Sequence, residues 1–147
     1  MAIDKEIIPH NVSWSEVHRD TKHLVRQLMG MGPWEGVVAL TCDGLVLASI
    51  LAREMDIRIS DTLCISTYGE PLKGTVKVLK VPERAVAVDG EGWLLIDDLV
   101  DTGTTAKKAR EILPKSHFTT VYAKPLGLPV VDTFVSEVTQ DVWVFLP

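Results

Sequence analysis

The chain has 147 residues, 46% of them hydrophobic, enough for one domain spanning residues 1–147 and too few for two comfortable ones. Fifteen basic residues against twenty acidic ones leave a net charge of −5, which excludes a general nucleic-acid or anionic-membrane surface, so an anionic ligand must be held locally. The two cysteines, Cys42 and Cys64, with no His/Cys cluster at zinc spacing, exclude a disulfide scaffold and a structural zinc site and fit a reducing cytoplasm.

Met1 to Glu6 lacks a basic-then-apolar leader pattern, and runs such as Leu45 to Ala52 fall short of a membrane span. The expectation is a soluble cytoplasmic protein with at most peripheral membrane association. Ser13-Trp14-Ser15-Glu16 reads as a capping box, and Trp14, Val17, Leu24, Val25 and Leu28 recur at helical spacing until Gly30 and Gly32. Gly36 to Thr41 is a short apolar strand, Cys42-Asp43-Gly44 a turn, and Leu45 to Met55 a helix. Asp61 to Ser66 is a further strand, Thr67 to Thr75 a loop broken by glycine and proline, and Val76 to Val81 another strand. A turn at Asp89 to Gly92 precedes the buried strand Trp93 to Ile96. Helix Thr105 to Leu113 and strand His117 to Lys124 repeat the strand, loop, helix rhythm, and Thr133 to Val138 and Asp141 to Leu146 are the last strands. This order predicts an α/β fold: an open, mostly parallel sheet flanked by helices, with right-handed crossovers.

The chemistry concentrates in Leu94-Leu95-Ile96-Asp97-Asp98-Leu99-Val100-Asp101-Thr102-Gly103-Thr104-Thr105. An apolar strand ending in Asp97 and Asp98 places both carboxylates in the crevice where open α/β sheets bind ligands. Gly103 permits an unusual turn, and the hydroxyls and free N–H groups at the next helix's start suit a phosphate. The pattern fits a ligand with a phosphate at one end and vicinal hydroxyls, or a Mg²⁺-bound pyrophosphate, at the other. A plain helix cap needs only one such residue, and three aspartates within five positions repel one another without a cation or donors. Neither G-x-G-x-x-G nor the P-loop pattern is present.

Four hydrophobics, two acids, two hydrophobics and Asp-Thr-Gly-x-Thr resemble the phosphoribosyl-pyrophosphate (PRPP) signature of type I phosphoribosyltransferases. Cys64 to Tyr68, Val76 to Lys80, Ala123-Lys124-Pro125 and Gln140 to Trp143 are similar in order and spacing to the bacterial xanthine-guanine phosphoribosyltransferase family. The resemblance covers roughly Val37 to Trp143. It implies the type I fold with a small hood built from terminal segments, and transfer of phosphoribose from PRPP to guanine, xanthine or hypoxanthine. Asp97 and Asp98 would bind ribose hydroxyls and support Mg²⁺, and Leu99 to Thr105, above all Thr102, Gly103, Thr104 and Thr105, would hold the 5′-phosphate end. Asp101 would serve as general base at the purine's imidazole edge, Lys124 would donate to O6, Trp143 would stack on the base and the Val144 backbone would meet its other edge. Lys124 as a solvated strand-end lysine, Trp143 as core and Asp101 as a helix N-cap are the competing readings. Trp14, Trp34 and Trp93 read as packing residues.

The family's pyrophosphate loop usually reads Arg-Gly-Gly, and here it is Cys42-Asp43-Gly44, so the resemblance puts Cys42 and Asp43 among the PRPP-binding residues; as a side chain, Cys42 reads as a buried inert thiol, with a reactive thiol the alternative. Asp43 would repel pyrophosphate or help ligate a second Mg²⁺. Lys73 would replace a loop arginine as a point charge on PRPP, and the loop Thr67 to Thr75 would close over the site. The chain stops at Pro147, soon after Trp143, whereas relatives continue a little further. A homodimer or homotetramer is the family's usual state. Two further functions remain open: a PRPP- or nucleotide-binding regulator on the same fold, and a Mg²⁺-dependent phosphatase with Asp97 or Asp98 as nucleophile.

Overall fold

The computed structural model describes residues 7–68 and 75–147. The order is β1 (Ile8–Asn11), α1 (Trp14–Leu28), β2 (Gly36–Leu40), α2 (Gly44–Glu54), β3 (Ser60–Tyr68), β4 (Thr75–Lys80), α3 (Glu83–Val86), β5 (Trp93–Val100), α4 (Thr104–Ile112), β6 (His117–Ala123), a 3₁₀ segment (Pro125–Val130), β7 (Thr133–Glu137) and β8 (Val142–Phe145). The expected helices and strands all form within a few residues of where periodicity placed them.

The capping box forms: Ser13 Oγ accepts from Glu16 N at 3.2 Å and Glu16 Oε2 accepts from Ser13 N at 2.7 Å. It starts α1 with Val17, Leu24, Val25 and Leu28 buried, but Trp14 stands 60% exposed, so the apolar stripe begins a turn later than the spacing implies. A six-stranded sheet in the order β4-β3-β2-β5-β6-β7 forms the centre, parallel except for the antiparallel β3–β4 pair. Its central strands are buried on both faces, hence their continuous apolar runs.

Strand alternation then sorts the core. Val37, Ala39, Leu94 and Ile96 face Leu24, Leu28, Leu47 and Leu51 of α1 and α2. Val38, Leu40, Leu95 and Trp93 face the other way, packing with Ala85, Ala106, Ala109 and Phe118. Each fully buried leucine contributes about 1.5–3 kcal/mol relative to exposure, which anchors both layers to the strands that carry the site.

Asp141 to Leu146 does form a strand, but not in the main sheet. As β8 it pairs in parallel with β1, Ile8 beside Val142 through Asn11 beside Phe145. This ribbon of terminal segments is the hood. The short β1, α3 and the 3₁₀ segment were not anticipated, being too brief for a period to register. Lys73 and most of the expected loop lie outside the described residues.

Candidate active site

The sheet order reverses at β2, which has β3 on one side and β5 on the other. Loops leaving the carboxyl ends of β2 and β5 therefore diverge and open a cleft. Gly44 lets α2 start against this edge, since a Cβ there would lie 2.5 Å from the Ile96 carbonyl oxygen. That close approach brings Asp43 beside the acidic end of β5. The Thr41–Cys42 peptide in this loop is cis.

β5 runs past Ile96 to Val100, longer than its apolar run implied. Asp97 registers with Thr120, Leu99 with Tyr122 and Val100 with Ala123 in β6, so ladder pairing keeps the backbone extended where the side chains suggested a loop. Asp97 Oδ1 accepts from Asp98 N at 2.8 Å, and Asp98 Oδ1 from Leu99 N at 2.7 Å. Burial raises the Asp97 carboxyl well above the usual range, and the Asp98 charge raises it further. Burial likewise raises Asp98, and the charge of Asp43 pushes both upward. Crowded carboxylates of this kind accept a cation or hydroxyl donors readily. Their hard oxygens fit Mg²⁺. Among the described residues no three His, Cys, Asp or Glu side chains could hold a metal by themselves, so bound ligand and water would supply the rest of the shell.

At the start of α4, Gly103 takes φ +86° at the N-cap position and no side chain caps the helix. Asp101 is therefore not a cap, and the first N–H groups of α4 are left for an anion. The Thr102 and Thr104 hydroxyls lie 3.2 Å apart. Residues 99–105 line a cavity of about 240 Å³ together with Asp43 and Asp97. Thr41, Ile65 and Phe118 also line it, although none of them was assigned a site role from the sequence: Thr41 and Ile65 sit in stretches covered by the resemblance, and Phe118 in a buried strand.

A second cavity of about 250 Å³ adjoins the first. Lys124, Trp143, Val144 and Asp98 meet Asp43, Asp97, Leu99 and Asp101 around it. Lys124 is only 3% exposed, which excludes the solvated-lysine reading, and its Nζ donates to Asp101 Oδ2 at 3.3 Å. Trp143 is 54% exposed, which excludes core packing; its ring lies 6.4 Å from Phe145. Of the other tryptophans, Trp93 is buried, Trp34 half-buried and Trp14 exposed. Gln140, named above only within the resembling stretch Gln140 to Trp143 and without a role, donates to Asp101 Oδ1 at 2.7 Å.

Cys42 is the outlier. It is exposed, not buried, and it lines an apolar groove with Trp14, Val46 and Pro147 instead of either cavity bordered by Asp101, away from where a PRPP-binding residue is expected. Asp43 lines that groove and both cavities.

Two linked cavities at a sheet's switch point, one anion-receptive and one with an exposed aromatic ring and a buried lysine, define a protein for a phosphorylated, two-ended small ligand. Residues 13–143 match the phosphoribosyl transferase domain family, and the chain belongs to that family. It is 51% identical over 137 residues to the xanthine-guanine phosphoribosyltransferase of Nitratidesulfovibrio vulgaris (strain DP4), covering 92% of this chain and 82% of that one. It is 46% identical over 147 residues to the xanthine-guanine phosphoribosyltransferase of Chromohalobacter salexigens, 100% of this chain and 88% of that one. The purine phosphoribosyltransferase of Pyrococcus horikoshii shares the fold, with a TM-score of 0.79 at 18% identity over 96% of this chain and 93% of that chain. The resemblance read from the signature and the type I fold it implied are both borne out. Among the described residues, no helix is long and apolar enough to cross a membrane.

Proposed function

We propose that this protein, acting as a single cytoplasmic domain, transfers the phosphoribosyl group of PRPP to a 6-oxopurine (guanine, xanthine or hypoxanthine), giving the nucleoside monophosphate and pyrophosphate. The observation that carries this reading is the shared wall: Asp43, Asp97, Leu99 and Asp101 border both the anion-receptive cavity and the aromatic one. A molecule reaching from one to the other presents its sugar to the acids between them.

Residues 102–105 hold the 5′-phosphate through N–H groups and hydroxyls. Asp97 and Asp98 accept hydrogen bonds from the ribose hydroxyls and would hold Mg²⁺, which when bound supplies charge neutralisation for the departing pyrophosphate. Trp143 stacks on the purine plane, and the Val144 backbone meets the base edge. Lys124 donates to O6, where adenine offers only donors, and so selects against adenine. Asp101 sits between the cavities, placed to take or share the ring nitrogen's proton as that nitrogen attacks the anomeric carbon. Most of the catalysis is positioning and electrostatics.

A homodimer or homotetramer is the assembly we infer from the family. The test of function is direct: supply PRPP and Mg²⁺, offer guanine, xanthine, hypoxanthine, adenine and orotate singly, and measure nucleotide. Turnover with 6-oxopurines alone supports the proposal, and turnover with none sinks it. One observation favours a second reading, a weakly active variant or a PRPP- or nucleotide-binding regulator: Asp43 brings a carboxylate to both cavities. Ligand binding without turnover would select it.

A further inference from the structure

We propose that Gln140 is the positioning residue of the proposed general base, fixing the Asp101 carboxylate and tying it to the segment that carries Trp143. The inference rests on the role of Asp101 given above.

The geometry is a closed chain of contacts. Gln140 Nε2 donates to Asp101 Oδ1 at 2.7 Å, and Gln140 Oε1 accepts from Leu126 N at 3.1 Å. Both ends of one amide are thus used, which fixes its orientation. On the other side, Lys124 Nζ donates to Asp101 Oδ2 at 3.3 Å, and the backbone N of Lys124 donates to the Val100 carbonyl at 3.0 Å. Each carboxylate oxygen of Asp101 therefore meets one protein donor, a lysine from the end of β6 and an amide from the turn between β7 and β8.

Asp101 needs such support. It follows the last residue of β5, and its side chain is 47% exposed, so packing alone holds it only in part. A carboxylate free to rotate would spend most of its time away from any one proton. Lys124 alone gives a point charge with rotational freedom, whereas a planar amide bound at both ends defines a direction. Gln140 also stands three residues before Trp143, in a turn closed by Val142 N donating to the Thr139 carbonyl at 3.2 Å. The Val138 N–H, donating to the Ala123 carbonyl at 3.0 Å, fastens the start of that segment to β6. The ring proposed to stack on the base and the acid proposed to take its proton therefore share one rigid linkage.

The test is a double-mutant cycle with PRPP, Mg²⁺ and guanine. Gln140→Leu removes the amide, and the isosteric Gln140→Glu keeps the shape and the acceptor for Leu126 but loses the donor. Melting temperatures confirm that both fold. We expect kcat to fall roughly 10- to 100-fold in both, with the KM for PRPP unchanged within about twofold. Asp101→Asn alone should lose roughly 100-fold or more. In the Asp101→Asn background, adding Gln140→Leu should cost less than about twofold, because a residue that acts through Asp101 has nothing left to position. Equal losses from Gln140→Leu with and without Asp101 overturn the proposal and make Gln140 a scaffold residue. Full activity of Gln140→Leu overturns it too. If Asp101→Asn itself stays active, the reading of Asp101 fails, and the role of Gln140 falls with it.

Discussion

Replacing Asp43 with glycine should tighten PRPP binding by roughly tenfold. A carboxylate about 5 Å from a pyrophosphate charge would cost about 3 kcal/mol at an effective dielectric of 20 and about 1 kcal/mol in bulk water. Asp43 is exposed, which moves the value toward the lower figure, about 1–2 kcal/mol, or roughly one decade of affinity. The loop has little room to swing the charge aside, because Gly44 packs against the Ile96 carbonyl. Arginine at position 42 should add less than glycine at 43, since Cys42 lines the neighbouring groove and not the phosphate-side cavity. Calorimetric titration of Asp43→Gly, Asp43→Asn, Cys42→Arg and the Cys42→Arg/Asp43→Gly double variant with PRPP and Mg²⁺ separates the contributions. The neutral Asp43→Asn controls for backbone freedom, because its helix start stays as it is and only charge changes. The gain should shrink between about 0.05 and 0.5 M salt as screening removes the repulsion. If Asp43→Gly and Asp43→Asn leave the PRPP dissociation constant where it was, the repulsion argument is refuted, and Asp43 as a cation ligand becomes the better account.

Trp143→Ala should raise the KM for the purine roughly tenfold while leaving that for PRPP within about twofold, since stacking contributes about 1–3 kcal/mol per base; equal loss for both substrates would contradict the assignment. Gly44→Ala should destabilise the fold by about 1–3 kcal/mol in urea titration, because the new methyl meets the Ile96 carbonyl oxygen at 2.5 Å and must push α2 off β5. Burial lowers the pKa of His117, whose Nε2 lies 2.7 Å from Thr133 Oγ1. A depressed histidine favours the neutral form in the fold, so its contribution is present above the unfolded value near 6.5 and is lost as pH falls through the lower folded value. The melting temperature should therefore drop as pH is lowered below about 6.5, and His117→Gln should flatten that limb of the curve.

The local sequence determined the elements and the residues proposed for the ligand's phosphate end. Period-2 and period-3.6 patterns depend on which face is buried, so β2, β5, α1 and α4 could be read from residues alone. The Asp-Asp and Asp-Thr-Gly-x-Thr spacing works within one strand, turn and helix, which is why the proposed anion site needed no knowledge of distant contacts. Only the tertiary structure decided what depends on residues far apart in the chain. β5 extends through its acids because β6 pairs with it there, a fact no property of Asp97 or Asp98 contains. Cys42 is exposed and faces a groove because Gly44 sets how α2 meets β5. The last strand joins β1 in the hood instead of the main sheet, which lifts Trp143 out of the core. Gln140 reaches Asp101 across 39 positions of sequence; a polar residue in a surface turn carries no signal of such a contact, because the contact is created by the packing that closes the loop and not by the residues beside it.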